Sequence, residues 1–227
     1  PPGDRKGKRL VTAQSYETDP QFEATVRARL ESIESRLVDA ARADTDFVTE
    51  AASHIIRAGG KRFRPLLVVL ASQLLEGADP DRIDRAAIVM ELTHVASLYH
   101  DDVMDEALVR RAAPSANARW DNTVAILVGD YLFSKASSTV ATLGPEYVLV
   151  QAETFARLVQ GQIAETRGPR PGSDALRHYL DVVADKTGSL IAASARFGGM
   201  VCGATPEQLD ALGRYGEEIG VVFQLSD

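Results

Sequence analysis

Apolar residues recur along this chain at helical spacing. In residues 21–43, QFEATVRARLESIESRLVDAARA, the positions Phe22, Val26, Leu30, Ile33 and Leu37 follow at intervals of four, four, three and four. That is one face of a helix. Asp44 to Asp46 offer a cap for a second helix ending at Gly59-Gly60. Pro65 falls near the first turn of a third, RPLLVVLASQLLEG, where its missing N–H costs little. Asp79 to Asp81 start a long helix reaching about Asp105, and GPE at 144–146 and RGPRPGSD at 167–174 break the later apolar runs. Alternating strand patterns and fixed repeats are missing. The pattern predicts an all-α protein of roughly nine or ten helices, a single large antiparallel bundle.

Composition narrows the class. With 227 residues, 45% apolar and 25% charged, the chain suits one globular domain with a substantial core. A net charge of −7 argues against a nucleic-acid partner. The single Cys202 rules out an internal disulfide and suits a reducing, cytoplasmic setting. Runs such as PLLVVLA and AILVG are far too short to span a membrane. The opening PPGDRKGKRL has no apolar segment behind it, so residues 1–19 read as a flexible arm and not as a signal peptide.

Chemistry concentrates in THVASLYHDDVMDEALVRRAAPSAN. On a helix Asp101 and Asp105 stand one turn apart on the same face, where like charges repel, so the spacing asks for a cation. Asp102 lies to the side, able to support or bind a second ion. Val95, Ala96 and Leu98 upstream make the wall behind them apolar. Paired carboxylates at the mouth of an apolar cavity suit Mg²⁺, which takes one or two carboxylates with water and phosphate oxygens. A solvated acidic helix end would look alike, but Arg110 and Arg111 follow closely, and two guanidinium forks beside the acids describe a polyphosphate site. In GGKRFRPLL, Lys61, Arg62 and Arg64 stand just before a helix N-terminus, a second anion site.

Two anion sites beside one acidic cluster in an apolar bundle suggest two diphosphates carrying hydrocarbon tails. The motifs GGKRFRP, SLYHDDVMDEALVRR, GDYLFSKA, DKTGSL and FQLSD, in that order, closely resemble the trans-isoprenyl diphosphate synthase (polyprenyl synthetase) family over about residues 20–227. The resemblance implies an isoprenoid synthase helical domain around a central cavity. It implies a homodimeric enzyme that condenses isopentenyl diphosphate with an allylic diphosphate in successive 1′-4 head-to-tail steps. It also implies Mg²⁺, three ions per site, with Mn²⁺ as an alternative. Asp101 and Asp105 would then hold metal with Asp102 assisting, and Asp227 would join them from a second motif that begins with Gln224. Arg110, Lys186 and Thr187 would grip the allylic diphosphate. Gly60, Lys61, Arg64, His94 and Arg111 would bind isopentenyl diphosphate. Relatives continue beyond FQLSD with further Asp residues, so the domain is expected to be missing its C-terminal part. One departure is Ala112, where the family usually has Gly.

A product tail would run down the bundle. Ala96 and Ser97, small residues about one turn before Asp101, leave it room and favour roughly C30–C50, with Met90 or Phe133 as a floor; geranylgeranyl (C20) is the alternative. Such a product would partition into membrane. A class I terpene cyclase also uses D-D-x-x-D but has no need of GGKRFRP. A di-iron bundle needs two E-x-x-H units, and only Glu91 and His94 supply one. Trp120 and Cys202 read as structural, and His54, His100 and His178 have no evident role beyond the packing of His100 beside the motif.

Overall fold

The computed structural model describes residues 19–226. The expected N-terminal arm falls outside the described residues apart from Asp19, whose carboxylate caps the first helix by accepting from Gln21 N at 2.9 Å. That helix, α1 (Pro20–Ala40), buries Val26, Ile33 and Leu37, while Phe22 in its first turn stays exposed.

Next come α2 (Asp46–Arg57), capped by Thr45, and α3 (Phe63–Ala71), with Pro65 in its first turn. Between them Gly59 and Gly60 take φ of 91° and 147°, a backbone that L side chains rarely adopt. The long helix α4 (Pro80–Met104) is capped by Asp79 and closes on Asp105. Its buried positions lie all around it, which places it at the centre of the molecule. It packs against α1, α3, α6 (Asn122–Ala141) and α9 (Ser189–Val201). Asp84 of α4 is buried and held by Ser32, Arg29 and Arg36 of α1 at 3.0, 3.3 and 2.8 Å. A buried carboxylate needs such partners, and here they lock α1 to the central helix.

The fold is all-α as expected, and among the described residues the connection after α4 holds its one strand pair. Val109–Arg110 (β1) and Ala113–Pro114 (β2) form a two-residue antiparallel ladder. Arg111 and Ala112 turn between them at φ 53° and 60°. A ladder this short has no alternating pattern to announce it. A short α5 (Ala116–Arg119) leads into α6, followed by α7 (Pro145–Arg167), α8 (Ala175–Val183), α9 and α10 (Pro206–Ser226). Between α8 and α9 the residues Ala184–Gly188 form a π-turn, the kind of irregularity that collects at functional sites. No helix among the described residues is long and apolar enough to cross a membrane.

Candidate active site

A cleft of about 500 Å³ opens where α3, α4, the β1–β2 turn, the π-turn and the end of α10 converge. Along α4 the positions His94, Ser97, Asp101 and Asp105 face it, at intervals of three, four and four. Gly60, Lys61 and Arg64 line it from the α2–α3 turn, and Arg110 and Arg111 from the hairpin. Lys186, Thr187 and Gln224 complete it. Asp227 lies outside the described residues.

Asp102 takes the supporting place to the side and not that of an ion ligand in the cleft. It is fully buried, lines no part of the cleft and binds Arg110, whose Nε donates to Oδ1 at 2.7 Å and whose Nη2 stands 2.6 Å away. Successive helix positions differ by about 100°, so a residue next to Asp101 must face the hairpin instead. Ala96 departs from its expected place for the same reason. It is fully buried in the core and lines neither cavity, whereas Ser97 lines both the polar cleft and an adjoining apolar pocket.

That pocket, about 360 Å³, shares Ser97, Asp101 and Leu158 with the cleft. Val103, Met104, Ile126 and Ile163 line it, with Phe133 and Phe155 packed at 4.3 Å between ring centroids and His100 at 5.7 Å from Phe133. Met90 is buried in the core and does not reach it. His100 thus gains a place as a pocket wall, tied to α6 through Ile126 O at 3.1 Å.

The electrostatics run in two directions across the cleft. Burial pushes the Asp101 carboxyl up, helped by Asp105 and Glu165 and opposed by Lys186 and Arg110. Burial outweighs the two cations beside it. On the other side, burial lowers Arg64 to about 10, with Glu91 working against the shift and Arg111 adding to it. Burial and the guanidiniums of Arg64, Arg111, Arg110 and Arg62 hold His94 well below the ordinary histidine range. His94 is therefore neutral at pH 7 and can donate one N–H to an anion.

Arg62, part of the basic knot, is spent on structure. It donates to both oxygens of Glu34 at 2.5 and 2.7 Å, to Glu91 at 3.0 Å and to Ile56 O at 2.7 Å. Lys186 pairs with Glu165 of α7 at 2.5 Å; its sequence neighbour Asp185 binds Arg157 instead. Gly161 of α7 permits this approach, since a Cβ there would stand 2.6 Å from Lys186 N. The Thr187 hydroxyl donates to Gln224 Oε1 at 3.1 Å, so the π-turn and the end of α10 meet directly. Phe223 stacks on Phe63 at 5.0 Å, and the Lys61 ammonium lies 5.1 Å from the Phe223 ring.

Sequence reasoning missed Glu165 and Phe223, and it considered Glu91 only as half of an iron motif. Glu91 carried a usable signal, a lone acid in the apolar run from Ala86 to Ser97 that could be buried only with partners. Trp120 is structural as expected, packed edge-on to Phe47 and His54.

Among the described residues no three His, Cys, Asp or Glu side chains converge as a ready-made metal cage. Asp101 and Asp105 still suit a hard divalent cation that shares its shell with a ligand's oxygens, because two carboxylates one turn apart line the same cleft.

Comparison with known proteins gives the family. The family described as polyprenyl synthetase matches residues 45–227. A nonaprenyl diphosphate synthase of Mycobacterium tuberculosis is 50% identical over 209 residues, 92% of this chain and 62% of that protein. The chain thus spans about three fifths of the curated relatives' length. The crystal structure of a geranylgeranyl pyrophosphate synthase from Corynebacterium glutamicum, complexed with calcium and isoprenyl diphosphate, superposes with a TM-score of 0.80 at 45% identity, covering 91% of this chain and 63% of that one. A decaprenyl diphosphate synthase from Rhodobacter capsulatus superposes with a TM-score of 0.83 at 31% identity, covering 90% and 63%. The chain belongs to the polyprenyl synthetase family.

Proposed function

We propose that the protein is a Mg²⁺-dependent prenyltransferase that joins isopentenyl diphosphate to an allylic diphosphate in successive 1′-4 steps and releases an all-trans polyprenyl diphosphate. The observation that carries this reading is the junction at Ser97, Asp101 and Leu158, where a cleft walled by Arg, Lys and Asp opens into an apolar pocket. A molecule with an anionic head and a hydrocarbon tail fits both halves at once.

Asp101 and Asp105 would hold the metal, which supplies electrostatic stabilisation of the departing diphosphate. Arg110 and Lys186 face that same diphosphate and oppose the charge that grows on it as the allylic C–O bond breaks. The pairs Asp102–Arg110 and Glu165–Lys186 fix both cations in advance. Gly60, Lys61, Arg64, His94 and Arg111 hold the isopentenyl diphosphate on the opposite wall, with His94 as a neutral donor. Thr187 and Gln224 stand beside the allylic carbon, where their oxygens face the developing cation. The isopentenyl double bond attacks that carbon, and the proton lost afterwards goes to the released diphosphate.

We take the product to be long, roughly C30–C50, because Ser97 is small and the relatives include nonaprenyl and decaprenyl diphosphate synthases. The 45% identity to a geranylgeranyl pyrophosphate synthase keeps C20 as a second reading. The resemblance further implies a homodimer, which sedimentation of the full-length protein tests. Incubation with labelled isopentenyl diphosphate, Mg²⁺ and several allylic diphosphates tests the reaction. Label should enter products that grow in C5 steps and should not enter when EDTA is present. A terpene cyclase would consume the allylic diphosphate and leave the label untouched.

A further inference from the structure

On the reading just given, Glu91 stands behind the wall that holds isopentenyl diphosphate. Its side chain is 2% exposed, and its Oε1 lies 3.0 Å from Arg62 Nη1 and 3.5 Å from Arg111 Nη2. The two arginines are held very differently. Arg62 is braced from several directions, by Glu34 of α1, by the Gly59 and Ile56 carbonyls and by Glu91. Arg111 has a single backbone anchor, Nη1 to Ile55 O at 3.2 Å, and its guanidinium lies over Gly60 at the cleft wall. Arg111 also sits in the left-handed region together with Ala112, on a turn with no glycine to relieve it. A backbone of that kind persists only where its surroundings hold it.

We propose that Glu91 is a positioning residue: braced by Arg62, it aims Arg111 at the second diphosphate and so sets the affinity for isopentenyl diphosphate. Charge alone points the other way. Glu91 is an anion beside an anion-binding wall, the compensating carboxylate for Arg62, Arg64 and Arg111. If neutralisation were its whole effect, removing that charge would tighten diphosphate binding. If aim is its effect, removing it loosens binding for the one substrate that Arg111 faces and spares the other, which Arg110 and Lys186 hold. The two accounts therefore differ in sign.

The test is steady-state kinetics on the full-length protein, wild type against Glu91→Gln, with each substrate varied in turn. Gln keeps the volume and one acceptor oxygen but lacks the charge that draws both guanidiniums. The KM for isopentenyl diphosphate should rise by at least about tenfold, as expected for a misaimed contact. The KM for the allylic diphosphate and kcat should stay within about twofold to threefold. Glu91→Asp keeps the charge and shortens the reach, so it should raise the same KM and serves if the Gln variant does not fold. Glu34→Gln, which removes the carboxylate hydrogen-bonded to Arg62 and acts on Arg111 only through longer-range charge, should lower Tm with a much smaller change in the isopentenyl diphosphate KM than Glu91→Gln. An isopentenyl diphosphate KM that is unchanged or lower, or both KM values rising together, overturns the proposal. Absence of label incorporation by the wild type would instead overturn the functional reading, and this inference with it.

Discussion

Arg110 reaches back from the hairpin to bind buried Asp102, Nε to Oδ1 at 2.7 Å, and the two residues thereby divide the labour of the acidic motif. Asp101 and Asp105 face the cleft, while Asp102 secures the arginine beside them. Asp102→Asn keeps the shape and weakens the anchor. It should cost roughly 1.5–3 kcal/mol, the range for hydrogen bonds to charged groups, and should also lower kcat. Urea unfolding and turnover of the same preparation check both. A stable variant with full turnover would show that Arg110 does not depend on Asp102.

Ala112 holds the left-handed conformation at φ 60° where the family pattern has Gly. A non-glycine residue there carries strain of about 1–2 kcal/mol. Gly relieves it but gives back about 0.4–1 kcal/mol through the unfolded chain. Ala112→Gly should therefore stabilise by roughly 0.5–1 kcal/mol, read as a higher urea midpoint with an unchanged m value.

His94 gives the protein a pH signature. In the unfolded chain histidine titrates at about 6.5. The folded protein resists protonation at this site because burial and four guanidiniums oppose it. Above pH 6.5 both states are neutral and the site adds no penalty. As pH falls below that value only the unfolded chain gains the proton, so stability drops, by at most about 1.4 kcal/mol per pH unit for this one group. His94→Gln should remove that share of the slope between pH 6.5 and 5.5, and an identical slope in both proteins would contradict the assignment.

Ser97 stands where the cleft meets the apolar pocket. Ser97→Phe should fill the entrance and shorten the product, read by chromatography of the dephosphorylated alcohols. Ala96→Phe acts elsewhere. It forces a ring into a closed core and should cost about 1–3 kcal/mol or more in stability.

Much of this was legible in the sequence because helices encode themselves locally. The face from Val26 to Leu37, the cap Asp79 and the glycine stop before Lys61 each follow from spacing and capping chemistry. The α4 positions facing the cleft are legible for the same reason, since i, i+4 and i+7 relations survive folding. Partners contributed by distant elements are not. Lys186 met Glu165 through a close approach at Gly161, and Phe223 met Phe63 across 160 residues, contacts that no local rule supplies. Ala96 and Ser97 looked equivalent as small neighbours, and only the actual rotation of α4 separates a core position from a pocket position. The β1–β2 turn was hidden for another reason. Its geometry comes from Arg111 and Ala112 in a conformation that neither residue favours by itself.

The most direct test of the central claim is a crystal structure of the full-length protein with Mg²⁺ and an unreactive allylic thiolodiphosphate. The diphosphate should lie between Asp101, Asp105, Arg110 and Lys186, with the hydrocarbon tail passing Ser97 into the pocket walled by His100, Phe133 and Phe155. A diphosphate held without Asp101 and Asp105, or a tail lying outside that pocket, would contradict it.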